Sequence, residues 1–338
     1  MKGYTQVAAG LVLLAASAGL LGLGGEQGTA AGTELLARRA VHEALGSAVE
    51  VTFLPKTRVS PPETPGHPVP VEVVEEDWSD PSPAPAEPPT ASPAPHPGPA
   101  VSPDFTPELK NETGYDPALH DLTPLKEGLR FDGDPAVLIV HTHTTESYAE
   151  TPGYRSTDET QGVMAVGDVI AQGLEARGYR VLHDRTLCDY PEYEGAYDRS
   201  RQVMLEDLEA CPDVALVLDV HRDAAEDAWG EQIRFAVDRQ EGAAARIMLV
   251  VGTDAGGLSH PLWRQNLTLA CLLQGRGEAV CPGLMRPINL RAQRFNQDLG
   301  ELNLLVEVGS SGNSQEEALA AAELFSRALA DLLDELSG

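Results

Sequence analysis

The sequence predicts an α/β protein, a three-layer sandwich with a mostly parallel central sheet. Two observations predict it. Short, largely apolar runs at 136–140, 214–220 and 304–308 have the length and composition of buried strands, and stretches with helical spacing alternate with them.

The elements begin at about Leu129. Ala136-Val-Leu-Ile-Val140 reads as a buried strand. Residues 163–177 show helical spacing at Val163, Val166, Val169, Ile170 and Leu174 and stop at Gly178, which suits the left-handed turn that ends a helix. Residues 179–182 form the next strand, 200–208 a helix and 214–220 a second largely buried strand. Residues 233–237 alternate, as one arm of a hairpin leading to 246–251 would. Residues 262–273 are helical and 304–308 make the last strand. Ser314-Gln-Glu-Glu317 is a capping-box pattern that opens a C-terminal helix, with Leu329, Leu332, Leu333 and Leu336 along one face.

Residues 129–338 are therefore the folded domain, and what precedes them differs in kind. Residues 1–30 hold a charge-free stretch, 7–25, which as a helix spans about 28 Å, close to the thickness of a bilayer's hydrocarbon core. With Lys2 on the inner side it reads as a single-pass membrane anchor. The rival is a cleaved signal segment, since Ala16-Ser-Ala18 resembles a cleavage site, but the apolar run continues past it. Either reading puts the rest of the chain outside the cytoplasm. Residues 31–60 form a short juxtamembrane helical segment. Residues 61–128 form a Pro-rich, disordered linker: 16 of the 26 prolines lie between Pro61 and Pro107, with too little apolar content to bury.

Net charge is −28, a balance that repels nucleic-acid phosphates and anionic headgroups, so no nucleic acid is expected as a partner. Aromatic residues are only 5% of the chain, in keeping with a part that is not core. The four cysteines, Cys188, Cys211, Cys271 and Cys281, form no C-x-x-C pair, which argues against a zinc ribbon or a dithiol redox site. Cys271 and Cys281 are candidates for a disulfide or for free buried thiols.

Sites in open α/β sheets form at the carboxyl ends of strands. After 136–140 comes His141-Thr-His-Thr-Thr-Glu-Ser-Tyr148; after 214–220 comes His221-Arg-Asp223; the last strand carries Glu307 and leads into Gly309-Ser-Ser-Gly312. Two histidines and one glutamate make a usual catalytic zinc set with an open fourth position, and a further carboxylate nearby serves as general base. His141 and His143 lie two apart: both can ligate from an extended segment, only one if the strand turns between them. Each of these residues alone is more simply a surface or core side chain, and Glu307 alone a partner for Arg222 or Arg291. Their joint placement at strand ends is what points to a metal. No G-x-x-x-x-G-K-[ST] phosphate loop, no G-x-G-x-x-G opening a helix and no G-x-S-x-G elbow is present. His183 and His260 lack a partner pattern and read as structural or surface residues.

The motifs His141–Tyr148, Val217-Leu-Asp-Val-His-Arg-Asp223, Arg294-Phe-Asn-Gln-Asp-Leu299 and Leu304-Leu-Val-Glu-Val-Gly-Ser310 closely resemble those of the stage II sporulation protein P family. Val250-Val-Gly-Thr253, Asn266-Leu267 and Tyr197-Asp-Arg-Ser200 add to the resemblance, which spans about 129–336. It implies the fold of the zinc N-acetylmuramoyl-L-alanine amidases, an amidase acting on peptidoglycan, and an endopeptidase activity on peptide cross-links. The implied setting is septal wall degradation and engulfment during sporulation, at the cell membrane, with stage II sporulation proteins D and M as partners. Carried over by position, His143 and His221 are zinc ligands and Glu307 is the catalytic glutamate. Glu146 is chosen as third ligand. The related amidases draw that glutamate from the start of the first helix, where 163–168 offers none, so Glu159 is held in reserve. Arg222 joins Glu307 in the expected catalytic set, as an oxyanion stabiliser. The rival readings are a zinc hydrolase of another substrate class, such as a deacetylase or a protein peptidase, and a non-catalytic wall-binding module. Asn296, Gln297 and Asp298 are candidates for gripping a peptide or for a structural turn.

Overall fold

Five consecutive apolar residues, Ala136–Val140, are buried on both faces, so the segment lies within a sheet rather than at its edge. The computed structural model describes residues 98–117 and 135–337, all within one unit, Pro85–Gly338. In chain order it contains β1 (Leu109–Asn111), β2 (Ala136–Val140), α1 (Gly162–Glu175), β3 (Arg180–His183), α2 (Ala196–Ala210) and β4 (Val214–Asp223). There follow β5 (Ala236–Val237), β6 (Ala244–Ala245), β7 (Ile247–Gly252), α3 (Trp263–Val280), β8 (Ile288–Arg291), β9 (Asn303–Ser310) and α4 (Gln315–Ser337). Seven strands form one sheet in the order β1-β8-β7-β9-β4-β2-β3. Five of its six pairings are parallel, and only β7 against β9 is antiparallel. The strands β3, β2, β4 and β9 thus run the same way, and their carboxyl ends share one edge.

Side-chain alternation divides the core in two. Val137 and Ile139 of β2, Leu216, Leu218 and Val220 of β4, and Leu304, Val306 and Val308 of β9 meet residues of α1, α3 and α4 in the main cluster. Leu138, Val140 and Val217 face the other way and pack against Met204 of α2. Three helices on one face and one on the other make the three layers expected of an α/β sandwich.

The local signals act as anticipated. Ser314 Oγ accepts from the N–H of Glu317 at 3.2 Å, and Glu317 Oε2 accepts from the N–H of Ser314 at 3.2 Å, the two halves of a capping box. Gly178 has φ of 91°, and its successor Tyr179 donates to Leu174 O at 3.2 Å, closing α1.

Three expectations change. The stretch 61–128 is not linker throughout: β1 pairs in parallel with β8 at the sheet edge, so the fold begins upstream of residue 129. Residues 233–237 do not form a long hairpin arm. Only Ala236–Val237 pairs, with Ala244–Ala245, while β7 joins the main sheet. Helix α3 runs to Val280, beyond the expected end at 273. All four cysteines are free. Cys271 lies inside α3 and Cys281 caps it, ten residues on, a rise of about 15 Å that no disulfide spans.

Among the described residues no helix is long and apolar enough to cross a membrane. The apolar stretch 7–25, the segment 31–60 and most of the Pro-rich stretch lie outside the described residues.

Phe325 of α4 is fully buried in the main cluster. Phe325→Ala is expected to cost about 3–5 kcal/mol of stability by leaving a cavity between α4 and its neighbours. Urea unfolding of variant and parent at one pH measures this, and a loss below 1 kcal/mol would contradict the packing described.

Candidate metal centre

The chain turns directly after β2, with residues 142–145 in turn conformation, and this separates His141 from His143. His141 keeps the alternation of Val137 and Ile139 and faces α1. Its Nδ1–H donates to Val220 O at 2.9 Å, and its Nε2 lies 2.8 Å from His183 Nε2. His183 Nδ1 in turn sits 3.2 Å from Asp168, which Arg185 also engages. Burial, then the neighbouring His183, push His141 down to about 3. Burial, then Arg185, push His183 down to about 4. Both rings are neutral at pH 7, and both nitrogens of His141 are committed. Its expected role as a ligand is therefore corrected: it braces β2, β4 and α1.

His143, beyond the turn, reaches the other face. Its ring meets that of His221 edge-on, with centroids 5.2 Å apart and planes at 89°. It stacks on Tyr193 at 4.6 Å and 15°, and Tyr193 Oη lies 3.2 Å from its Nε2. Its buried Nδ1 has no hydrogen-bond partner. The turn that presents His143 is pinned by buried Asp189, which accepts from Thr145 N at 3.0 Å, Thr145 Oγ1 at 2.8 Å and Arg155 at 2.6 Å.

His221 lies on β4 in register with Glu307 on β9. Its Nε2 is 2.9 Å from Asp219 Oδ1, though off the line of a hydrogen bond, and its Nδ1 is 3.3 Å from Glu146 Oε2. Asp219 is itself held by Thr142 N at 2.7 Å and Thr142 Oγ1 at 2.6 Å. Burial works against the charged form of His221, but Asp219 and then Glu146 outweigh it and raise its pKa well above the usual histidine range. Burial also opposes the Glu146 carboxylate, yet His221 and then Arg222 hold it below its ordinary value. Glu307 is different. Burial raises its carboxyl to about 8; His221 opposes this, and Glu146 and Asp223 add to it. Its buried Oε2 has no partner.

Arg222 is not at the open side. β4 is irregular between His221 and Asp223, and the buried Arg222 guanidinium lies 3.7 Å from Glu146 Oε1. Its Nε donates to Ser147 O at 2.8 Å, its Nη2 to Tyr154 O at 3.0 Å, and its backbone N–H to Glu146 Oε2 at 3.1 Å. With these donors committed, it positions Glu146 instead of stabilising an oxyanion. Glu159 is exposed and pairs with Arg185 at 3.8 Å, away from His221. Residues 296–298 form a structural turn: Asn296 donates to Tyr197 O, Gln297 bridges Gly252 N and Val250 O, and Asp298 pairs with Arg201. His260 is buried beside Asn266, a structural residue.

The structure thus brings together His143, Glu146, His221 and Glu307. Two bonds of about 2.0–2.1 Å at a tetrahedral angle separate zinc ligands by about 3.3 Å, and His221 Nδ1 and Glu146 Oε2 already stand 3.3 Å apart. The unpartnered His143 Nδ1 supplies a further donor. The donor set fits zinc, although among the described residues no group of three or more such side chains is already gathered around one point. Asp219, Tyr193 and Asp189 were missed from sequence. Asp219 had a signal: a lone carboxylate in an apolar strand, two residues before His221 and so on its face.

A family model described as Stage II sporulation protein P (SpoIIP) matches residues 104–330. Stage II sporulation protein P of Bacillus subtilis (strain 168) is 29% identical over 211 residues, which is 56% of this chain and 50% of that protein. The chain therefore matches about half the length of that relative. Among solved structures, the chain is similar to the apo N-acetylmuramyl-L-alanine amidase Ami1 of Mycobacterium abscessus, at 14% identity and a TM-score of 0.36, covering 61% of this chain and 99% of that one. It is also similar to the catalytic domain of the N-acetylmuramoyl-L-alanine amidase CwlV of Bacillus (Paenibacillus) polymyxa var. colistinus, at 13% identity and a TM-score of 0.36, covering 60% and 97%.

The buried His141–His183 pair generates a pH dependence. Both folded-state pKa values lie below the unfolded value of about 6.5, so below that pH the unfolded chain binds protons the folded chain refuses. Their contribution to stability falls as pH drops from about 6.5 toward 4, at up to about 1.4 kcal/mol per pH unit for each ring. Urea unfolding at pH 7.5, 6.5 and 5.5 is expected to show a shallower decline for His183→Gln than for the parent. Equal slopes would contradict the assignment.

Proposed function

Because the chain belongs to the stage II sporulation protein P family, we propose that it is a sporulation cell-wall hydrolase: a zinc-dependent N-acetylmuramoyl-L-alanine amidase with endopeptidase activity on peptide cross-links. The observation that carries the reading is the meeting of His143, Glu146, His221 and Glu307 at the carboxyl ends of β2, β4 and β9. In this reading peptidoglycan is the substrate and the setting is septal wall degradation and engulfment. The N-terminal apolar segment anchors the chain to the cell membrane, with the catalytic domain outside the cytoplasm, and stage II sporulation proteins D and M act with it.

His143, Glu146 and His221 would hold the zinc. When bound, zinc supplies Lewis-acid polarisation and a nucleophilic water near neutral pH. The chain's own residues do the rest. Asp219 fixes the orientation of His221 from behind, and Tyr193 does so for His143, which keeps ligating rings in place. Arg222 holds Glu146 in line through its backbone N–H. Glu307, whose buried Oε2 has no partner, is placed to accept a proton from the attacking water and return it to the leaving nitrogen, and a dication beside it would favour the carboxylate form this requires.

Glu307→Gln keeps the shape and removes the proton acceptor. It is expected to lower hydrolysis by about 10²–10⁴-fold while leaving zinc content unchanged. Activity within tenfold of the parent would remove Glu307 from the mechanism.

The zinc and the bond cleaved are tested together. Mass spectrometry of muropeptides treated with the protein is expected to show glycan freed of stem peptides, with the activity lost in a chelator and restored by zinc. Products that retain their stem peptides, or chelator-insensitive cleavage, would point to another hydrolase class.

A further inference from the structure

We propose that two aromatic side chains on loops flanking the metal centre, Tyr190 and Trp229, are platforms that bind the glycan strand of the wall, a neutral polymer of N-acetylated hexoses. The inference rests on the hydrolase reading and extends it to residues outside the catalytic group.

Four aromatic side chains are exposed among the described residues: Tyr115 at 37%, Tyr190 at 55%, Tyr193 at 53% and Trp229 at 87%. Tyr115 stacks on Trp263. Tyr190 and Tyr193 stand on the loop beside His143, and Trp229 on the turn that follows β4. Tyr190 follows Asp189, which pins the turn bearing His143, and the same loop brings Tyr193 onto His143. The Tyr193 ring is engaged by His143 at 4.6 Å and by Arg155 at 4.5 Å, so it forms a wall, while Tyr190, 55% exposed, presents its ring to solvent.

Trp229 stands at the tip of a tight turn beyond β4. Asp227 Oδ1 accepts from the backbone N–H of Trp229 at 2.8 Å and of Glu231 at 2.9 Å, and Gly230 takes a φ of 83° that permits the reversal. The turn is closed by Ile233 N–H donating to Ala225 O at 2.8 Å and tied to the end of β9, where Ser310 Oγ donates to Ile233 O and Ser311 Oγ bonds Gln232. In the strand order β3-β2-β4-β9 one aromatic loop follows β3 and the other is bonded to the end of β9, so the two strands that lead to His143 and carry His221 lie between them.

A tryptophan so exposed on a turn so well fixed has no part in the core. An exposed aromatic held in place binds with little loss of conformational freedom. The ligand chemistry follows from the neighbours. Glu192 and Glu194 flank Tyr193, and Glu226 and Glu231 flank Trp229, all exposed. Carboxylates on both flanks disfavour anionic polymers, lipid headgroups and nucleic acid. A neutral sugar presents C–H faces to the electron-rich ring faces and hydroxyls to the carboxylates.

The test is calorimetric binding of chitohexaose to the full-length, metal-free protein. Trp229→Ala and Tyr190→Ala are each expected to weaken binding about tenfold, and Trp229→Phe to retain most of it. On intact sacculi, zinc-loaded Trp229→Ala is expected to show its defect in KM more than in kcat. No binding by the parent, or equal affinity in parent and both alanine variants, would overturn the inference. Failure of the hydrolase reading registers separately, as no peptide release from sacculi by the zinc-loaded parent, because sugar binding is measured without metal or turnover.

Discussion

A charged imidazole buried between two carboxylates is the interaction on which the rest of this structure depends. His221 touches Asp219 on one side and Glu146 on the other, all of them shielded from water. Charges taken out of water are costly unless each finds partners. The surrounding chain supplies them. Thr142 gives two hydrogen bonds to Asp219, and Arg222 gives its backbone N–H and a nearby guanidinium to Glu146. Two carboxylates thus meet two cations. Residues of β2's turn, β4 and the loop after it are locked to one another by this balance, which explains why so short a strand as β2 ends in so well-defined a turn.

Metal would enter this arrangement by replacing a proton. In the metal-free chain His221 is protonated because two carboxylates hold it so. A dication at the same place serves the same carboxylates and needs a neutral ring. The site is thus electrostatically prepared for a cation of either kind. Glu307 stays out of the balance: its free Oε2 and raised pKa mark it as the group in the cluster with a proton to exchange near neutrality.

Much of this was legible in the sequence, for reasons that can be named. The apolar runs of β2, β4 and β9 have no alternative but burial, so the central strands were plain. His143, Glu146, His221 and Glu307 stood out as polar groups where buried strands end. Arg222 was weighed as an oxyanion stabiliser on its chemistry alone, whereas its guanidinium lies against Ser147 O, Tyr154 O and Glu146, tertiary contacts that no sequence pattern shows. Asp219 was readable by alternation, two residues before His221 on one strand. His141 hung on whether the chain turned at 142, a choice set by Thr142 bonding Asp219 far along the chain. Tyr193 and Asp189 lie on a loop without pattern, and only tertiary contact reveals them. β1 has three residues among prolines and is stabilised as a strand by β8, not by its own composition.

The place of β1 at the sheet's outer edge bears on how load enters the molecule. Four strand spacings separate β1 from β4, about 19 Å at the usual interval. The residues that lead into β1 are themselves bonded to α3: Arg276 donates to Pro99 O, and the Glu108 N–H donates to Gln274 Oε1. A force carried by the chain that precedes them meets those bonds and then a three-residue ladder at the periphery, and the histidines last.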